Sequence, residues 1–351
     1  MGSPLGLVRS YILLSIRLVG SPVRYEFMAL LDQPKKNFYK FRYYLRGVLN
    51  YLVPPKVWQR QLDDILRVFD QLSPAEQQSI MERVNYYNKL QTPFVLPENL
   101  NFDNQLYSGK KSAAYTLDFK SLIRYFPKDI SYSYLFGDIV DVPDVPTFLK
   151  SRPIRADQSN ENSVLLKLNK IRHYYVVKDE LSFENKIPKL VWRGKSNRPE
   201  RIKLLEKYFD NPVCDFGDTH HKKKRTVYER PFLTIPQQLQ YRYVLSIEGN
   251  DVATNLKWVM ASSSVCFMRR PRFETWFMEG SLIPDFHYVL LEDDHSDIEE
   301  KICYYNNHPE KAKNIVENAN RYVEQFFDCS KELMIMLFVV KKYLKLSKKC
   351  K

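Results

Sequence analysis

Two stretches of this 351-residue chain carry side chains suited to holding a diphosphate. The first, Val191 to Leu205, reads VWRGKSNRPERIKLL. Arg193, Lys195 and Arg201 supply cations, Ser196 a hydroxyl, and Gly194 a backbone without a side chain. Arg presents planar, forked donors that match phosphate oxygens, and Lys presents a point charge. A solvated basic loop is the plain alternative for this stretch alone. The second, Tyr241 to Arg269, reads YRYVLSIEGNDVATNLKWVMASSSVCFMR. Its segment Gly249 to Asn255 falls where a helix should begin, and exposed N–H groups at a helix start attract anions. An ordinary strand-to-helix turn is equally compatible with it. A third stretch, GDIVDVPDVP, offers Asp138, Asp141 and Asp144, any of which could take a proton from an attacking hydroxyl.

These residues need elements to position them. In the first stretch a strand, Lys189 to Trp192, runs into the loop, and Pro199 opens a helix at its favoured first turn. In the second, the short apolar run Tyr243 to Ile247 predicts a buried strand. Asn250 or Asp251 can cap a helix from about Val252 to Ala261, with Leu256, Val259 and Met260 on one face. Ser262 to Ser264 end it, and Val265 to Met268 reads as the next strand. This succession is one unit of a parallel α/β sheet. Such sheets hold ligands beyond the carboxyl ends of their strands. In the third stretch, Tyr132 to Val140 reads as a strand that Pro143 and Pro146 stop. Asp141 then lies at its carboxyl end, Asp138 faces the other side by alternation, and Asp144 is a turn residue.

Composition narrows the partners. Hydrophobic residues make up 44% and only ten residues are Gly, which predicts a folded chain long enough for two cored domains. Lys and Arg outnumber Asp and Glu by 54 to 41, a net +13, so an acidic partner is expected. No recognition-helix or RNA-binding signature is present, and nucleic acid is not the expected partner. An anionic membrane or a phosphorylated glycolipid fits better. Five widely spaced cysteines make no disulfide framework, and without a CxxC or HxxxH pair structural zinc is not expected. The run Glu292-Asp293-Asp294 is not read as a metal site, because adjacent carboxylates point in different directions. Asp297 is the expected cap of a helix starting at Ile298.

The chain opens helix-rich to about Leu90. Lys36 to Leu52 interleaves Lys40, Arg42 and Arg46 with Phe38, Tyr39, Phe41, Tyr43 and Tyr44. That mixture suits a membrane interface or a sugar surface, and equally a helix that packs its aromatics with Arg heads in water. Ser73-Pro74-Ala75-Glu76 predicts a capping box opening a helix to Lys89. Gln91 to Ala113 reads as a connecting segment. Tyr11 to Ile16, between Arg9 and Arg17, is too short for a signal peptide, and no stretch approaches the roughly 18 apolar residues of a membrane span. His220-His221, followed by Lys222 to Arg225, reads as a solvated loop with a possible acceptor-phosphate role. Leu333 to Val340 is expected as a short buried helix, and Lys341 to Lys351 as a polybasic tail for an anionic surface.

Three blocks, WRGKSNRPER, IEGNDVATNLKW and ETWFMEGSLIPDFHYV, resemble glycosyltransferase family 90, most closely its bacterial lipopolysaccharide branch. The likeness spans roughly Asp138 to Phe327. It implies an α/β, GT-B-like fold of two Rossmann-like domains facing a cleft, with a helical N-terminal region. It implies 1–185 as helical region plus acceptor-binding domain, 186–328 as the UDP-sugar domain, and 329–351 as a helix returning to the first domain with a basic tail. The activity implied is inverting transfer of a hexose, Glc or Gal, from a UDP-sugar to the lipopolysaccharide inner core, without a metal or other cofactor. A non-catalytic basic glycolipid-binding or membrane-scaffold protein on the same fold is the alternative. Arg201 matches the family's donor-contacting arginine and Lys195 a donor-contacting serine. Gly194, Ser196 and the loop Gly249, Asn250, Asp251, Val252, Ala253, Thr254 and Asn255 complete the implied donor site, and Asp294 matches a family Asp. Asn255 stands where animal members carry Arg, with Lys257 or Arg193 as substitutes for it. Lys150 and Arg152, in FLKSRPI, are expected at acceptor phosphate. Aligning Pro143 and Pro146 with the family's RDYPQVP-like block puts the base at Asp141, ahead of Asp138 and Asp144. The expected location is cytoplasmic, peripheral on the inner face of the bacterial inner membrane.

Overall fold

The computed structural model describes residues 30–31, 36–97, 113–128, 130–157, 159–219 and 226–348. The run Tyr11 to Ile16, positions 98–112 of the connecting segment, the stretch His220 to Arg225 and the last residues of the tail lie outside them. The chain passes through helices α1 (Lys36–Leu49), α2 (Pro55–Asp70), α3 (Pro74–Tyr87) and α4 (Ala113–Ile123), then short strands β1 (Thr147–Leu149) and β2 (Ser163–Leu165). Next come β3 (Ile187–Gly194), α5 (Pro199–Tyr208), β4 (Cys214–Asp218), β5 (Tyr241–Leu245), α6 (Leu256–Met260), β6 (Val265–Met268) and β7 (Val289–Leu290). Helices α7 (Ile298–Asn307), α8 (Pro309–Glu324) and α9 (Cys329–Leu346) follow. Two compact units result: among the described residues one takes 36–171 and 326–348, the other 30–31 and 172–325. The expected boundary near Asn185 falls inside the second unit.

The first unit is mainly helical. Ser73 accepts from the Glu76 backbone and Glu76 bonds back to Ser73, the capping box that the sequence predicts for α3. Helix α9 is much longer than the eight apolar residues expected. It runs for 18 residues, and Asp328 starts it by accepting from the N–H groups of Ser330 and Lys331. Leu333–Leu337, Val339, Val340 and Tyr343 on it are buried. Lys341, Lys342 and Lys345 are therefore still helical, and Ser347–Lys348 pairs in parallel with Phe94–Val95. Tyr132 to Val140, expected as a strand, makes only a single bridge, Tyr134 to Phe148. Gly137 has a φ of 124°, which side-chain-bearing residues rarely adopt, so the chain turns there and strand alternation does not carry through to Asp138.

The second unit is built on a five-stranded sheet in the order β7-β6-β5-β3-β4, every neighbouring pair parallel. Leu190, Trp192, Phe216, Tyr243, Leu245, Phe267 and Val289 face one core with Leu204, Leu205 and Tyr208 of α5, Ile298 and Ile302 of α7 and Ala312 of α8. Alternate residues Val191, Val244 and Cys266 are buried as well, so the central strands are covered on both faces, as parallel strands require. Counting from β3, the spatial order of the strands is that of a doubly wound sheet whose switch point lies between its first and third strands. Those are β3 and β5, and a ligand crevice is expected past their carboxyl ends.

Candidate functional site

The two diphosphate-type stretches emerge at that switch point. Strand β3 ends at Gly194, and a Cβ there would lie 2.5 Å from the Trp192 ring, so only glycine fits beside the folded-back indole. The loop 195–198 then leads into α5, with Pro199 in its first turn. Arg201, one helical turn in, reaches back over both loops. Its Nη1 donates to the Lys195 carbonyl at 3.1 Å, and its Nη2 donates to the carbonyls of Ile247 at 3.2 Å and Glu248 at 3.1 Å. The guanidinium lies 5.7 Å from the Trp192 ring centroid. Burial and then Arg198 pull its pKa below the usual arginine value, which still leaves it charged. Gly249 lies in ordinary contact with this guanidinium, at 3.5 Å from where its Cβ would be.

More cations gather here than the two stretches suggest. Lys195 is exposed at the loop tip. The Glu200 carboxyl is held below its ordinary value first by a backbone hydrogen bond and then by Arg269, Arg198 and Arg272. Glu248 accepts from Arg272 Nε at 2.8 Å and lies 3.8 Å from Arg269. Ser246, Glu248, Val252, Ala253, Leu256, Met268, Arg269, Pro271, Phe273 and Glu279 line a cavity beside them.

Asp218, at the end of β4, was not singled out by sequence. It is 2% exposed and pairs in register with Gly194. It accepts from the Ser196 N–H at 3.2 Å and from the Ser196 hydroxyl, and from Thr226 Oγ1 at 3.2 Å. The carboxylate thus holds the loop after β3. The available signal was an Asp closing an apolar strand next to the basic block, but only sheet order makes β3 and β4 neighbours.

Several expectations change. Helix α6 starts at Leu256 and spans five residues, so Asn250 and Asp251 do not cap it and the loop has no long helix dipole behind it. Asn250 is exposed, Asp251, Val252 and Ala253 are buried, and Thr254 and Asn255 are half-buried. Asn255 donates its amide to the Leu245 carbonyl at 2.9 Å, tying the loop to β5. Lys257, a candidate phosphate contact, is fully buried and donates to Glu279 at 2.5 Å. Arg193, the other candidate, is held by Asp215 at 2.8 Å and by the carbonyls of Asp215 and Pro231. A charge leaves water only with a partner, so both cations are engaged in the fold. Asp297 accepts from the Glu292 N–H at 3.1 Å and makes no cap bond to α7. Asp294 is exposed and held below its ordinary value by hydrogen bonds from Ser296.

In the first unit, Lys150 and Arg152 are 2% and 0% exposed and do not present themselves to an acceptor. Lys150 donates to Asp138 at 2.6 Å. Arg152 donates to the carbonyls of Tyr86, Tyr87 and Ser163. Asp141 and Asp144 are exposed, and Asn162 fixes their segment by donating to the carbonyls of Pro143 at 3.0 Å and Asp144 at 2.9 Å.

A doubly wound parallel sheet with a cation-rich crevice at its switch point marks a class of proteins that handle anionic, nucleotide-like ligands. Comparison with known proteins narrows the class. Residues 166–350 match the model of Glycosyl transferase family 90. The chain is 43% identical over 316 residues to the O-glucosyltransferase LpsA of Dichelobacter nodosus, across 89% of this chain and 97% of that one. It is 28% identical over 139 residues to Protein O-glucosyltransferase 2 of Danio rerio, covering 38% of this chain and 28% of that one. Protein O-glucosyltransferase 3 of Homo sapiens is 26% identical over 144 residues, with 39% and 28% covered. The chain belongs to glycosyl transferase family 90.

Proposed function

We propose that this chain is an inverting glycosyltransferase that moves a hexose from a UDP-sugar to a hydroxyl of the lipopolysaccharide inner core. The observation that carries this reading is Arg201, which ties the loops after β3 and β5 together at the switch point of the sheet. A crevice so built, with Lys195 exposed on its rim, suits the diphosphate of a nucleotide sugar. The name of the Dichelobacter nodosus relative supports glucose as the hexose and oxygen as the accepting atom. In this reading the two units are the halves of a GT-B-like fold, the second taking the donor and the first the acceptor.

The chemistry then runs as one displacement. Asp141, exposed like Asp144 and aligned with the family's base, takes the proton of the acceptor hydroxyl. The hydroxyl oxygen attacks the anomeric carbon from the face opposite the diphosphate, and the bond from that carbon to UDP breaks. Lys195, Arg201 and the N–H groups at the start of α5 hold the charge that grows on UDP. Cations and N–H groups take the place of a metal in this scheme. Asp138 is second choice as base, because Lys150 already holds it. An anionic inner-membrane surface on the cytoplasmic side is the partner that presents the acceptor. The exposed Lys341, Lys345 and Lys348 support that attraction. Lys342 takes no part in it, since it donates to Asn85 and to the Asn88 carbonyl.

The test is UDP release with a panel of UDP-sugars and truncated core acceptors, with and without EDTA. Acceptor-dependent release from one UDP-hexose, unchanged by chelation, is expected. UDP binding without turnover on any acceptor would favour the non-catalytic glycolipid-binding alternative.

A further inference from the structure

Among the described residues, helix α1 turns one face to its own unit and leaves another uncovered. On the packed face the Tyr43 hydroxyl donates to Asp118 at 2.8 Å and lies 3.2 Å from the Ala114 carbonyl, both on α4. On the other face Phe38, Phe41, Leu45, Val48 and Leu52 recur every three or four residues, the period of one helix side. They are 55%, 61%, 44%, 58% and 78% exposed. A contiguous apolar stripe of this kind marks a contact surface.

Charge says what the contact is with. From Asp32 to Asp63 the chain contains Lys35, Lys36, Lys40, Arg42, Arg46, Lys56 and Arg60, and no carboxylate between those two aspartates. The first turn of α1 lacks the acidic residues that would favour its dipole. Lys40 and Arg42 are exposed on the helix, and the Arg42 guanidinium lies 5.9 Å from the Phe38 ring. A second copy of this chain would bring two such cationic borders together, which costs free energy. An anionic bilayer interface satisfies both features: rings and aliphatic groups enter the acyl boundary, and the cations meet lipid phosphates. Among the described residues no helix is long and apolar enough to cross a membrane, so this contact is one of lying in the interface.

We propose that α1 and the turn after it, through Leu52, lie in the plane of an anionic membrane interface with the Phe38-to-Leu52 stripe inserted. The inference rests on the membrane-surface partner proposed above and not on sugar transfer, and its test reads no turnover. Purely electrostatic attachment through Lys341, Lys345 and Lys348 is screened away by salt, whereas an inserted apolar face leaves a salt-resistant part.

The full chain carrying Phe41→Trp is mixed with vesicles of equal parts phosphatidylglycerol and phosphatidylcholine. Its difference emission is expected to shift to the blue and to be quenched when the acyl chains carry bromine. A companion variant, Phe38→Ser/Phe41→Ser/Val48→Ser, should lose about tenfold or more of the bound fraction that survives high salt. Emission indifferent to these vesicles would overturn the proposal. So would an equal shift with phosphatidylcholine alone, or a lipid-free shift that grows with protein concentration, which would indicate a second copy. If the serine variant does not fold, the tryptophan reading alone decides.

Discussion

Arg83, Lys150, Arg152 and Lys167 in the first unit are at most 7% exposed, and they donate to carboxylates, carbonyls and the Tyr87 hydroxyl of that unit. Arg201 in the second unit is only partly covered, and it binds backbone carbonyls of two loops at the mouth of a sheet. The basic segments look alike as sequence: KSRP around Arg152 and GKSNRPER around Arg201 both combine cations with Ser and Pro. Burial separates them. A cation without water must be fully partnered inside the fold, which removes it from ligand chemistry. A half-covered cation that shapes loops can still face an incoming anion. Similar residues are thus cohesive wherever they are buried, Lys257 and Arg193 of the second unit included, whereas Arg201 stays partly open at the mouth of the sheet.

The largest effect should come from breaking cohesion. Glu332 on α9 is 0% exposed and accepts from Arg83 at 2.6 Å and Lys167 at 2.7 Å. Burial pulls the Lys167 pKa down, and Glu332 opposes that shift. Glu332→Ala removes the carboxylate that two buried cations share, and denaturant unfolding should show a loss of about 3–5 kcal/mol. A loss under about 1 kcal/mol would show that water reaches the cluster and that the contrast between units is overstated.

Next comes the proposed base. Asp141→Asn should cut transfer roughly a hundredfold or more, with UDP affinity and thermal midpoint unchanged. Wild-type turnover in this variant would move the role to Asp138 and give Lys150 a part in the chemistry. Arg201→Ala should weaken UDP binding by about 1.5–3 kcal/mol in calorimetry, through loss of a charged donor. Wild-type UDP affinity in a folded Arg201→Ala protein would place this arginine with the cohesive cations of the first unit. The smallest effect is expected at Asp218, which acts through Ser196. Asp218→Asn should raise the donor KM by roughly tenfold, about 1.4 kcal/mol, and leave the acceptor KM alone. Equal changes in both constants would assign Asp218 to general stability.

Local patterns survived where a short-range cause sets them. Proline in the first turn of α5, the capping box of α3 and the apolar runs of β5 and β6 each depend on neighbours a few residues away. That the loops after β3 and β5 come together, as they do through Arg201, was legible in their strand-to-loop character and their likeness to a family. Lengths were less legible. Helix α6 has five residues where the pattern suggested about ten, because the loop 250–255 is held by contacts such as Asn255 to Leu245. The segment 132–140 looked like a strand, but a left-handed Gly137 and a single bridge leave it without a ladder.

By itself the sequence determined the class of the second unit, the net cationic character of the chain and which blocks lie at strand ends. These follow from periodicity, composition and turn chemistry, which are local or summed quantities. Only the tertiary structure decided which cations are open to a ligand. Lys257 meets Glu279, Arg193 meets Asp215 and Lys150 meets Asp138, and the exposure left at each depends on how elements pack. It also made Asp218 a neighbour of Ser196, through the order in which strands lie in the sheet. It turned Phe38, Phe41 and Val48 outward on a helix whose sequence allowed either orientation. Partnering and exposure are properties of three-dimensional neighbours, and residue type fixes only the free energy cost of leaving a charge or an apolar group without them.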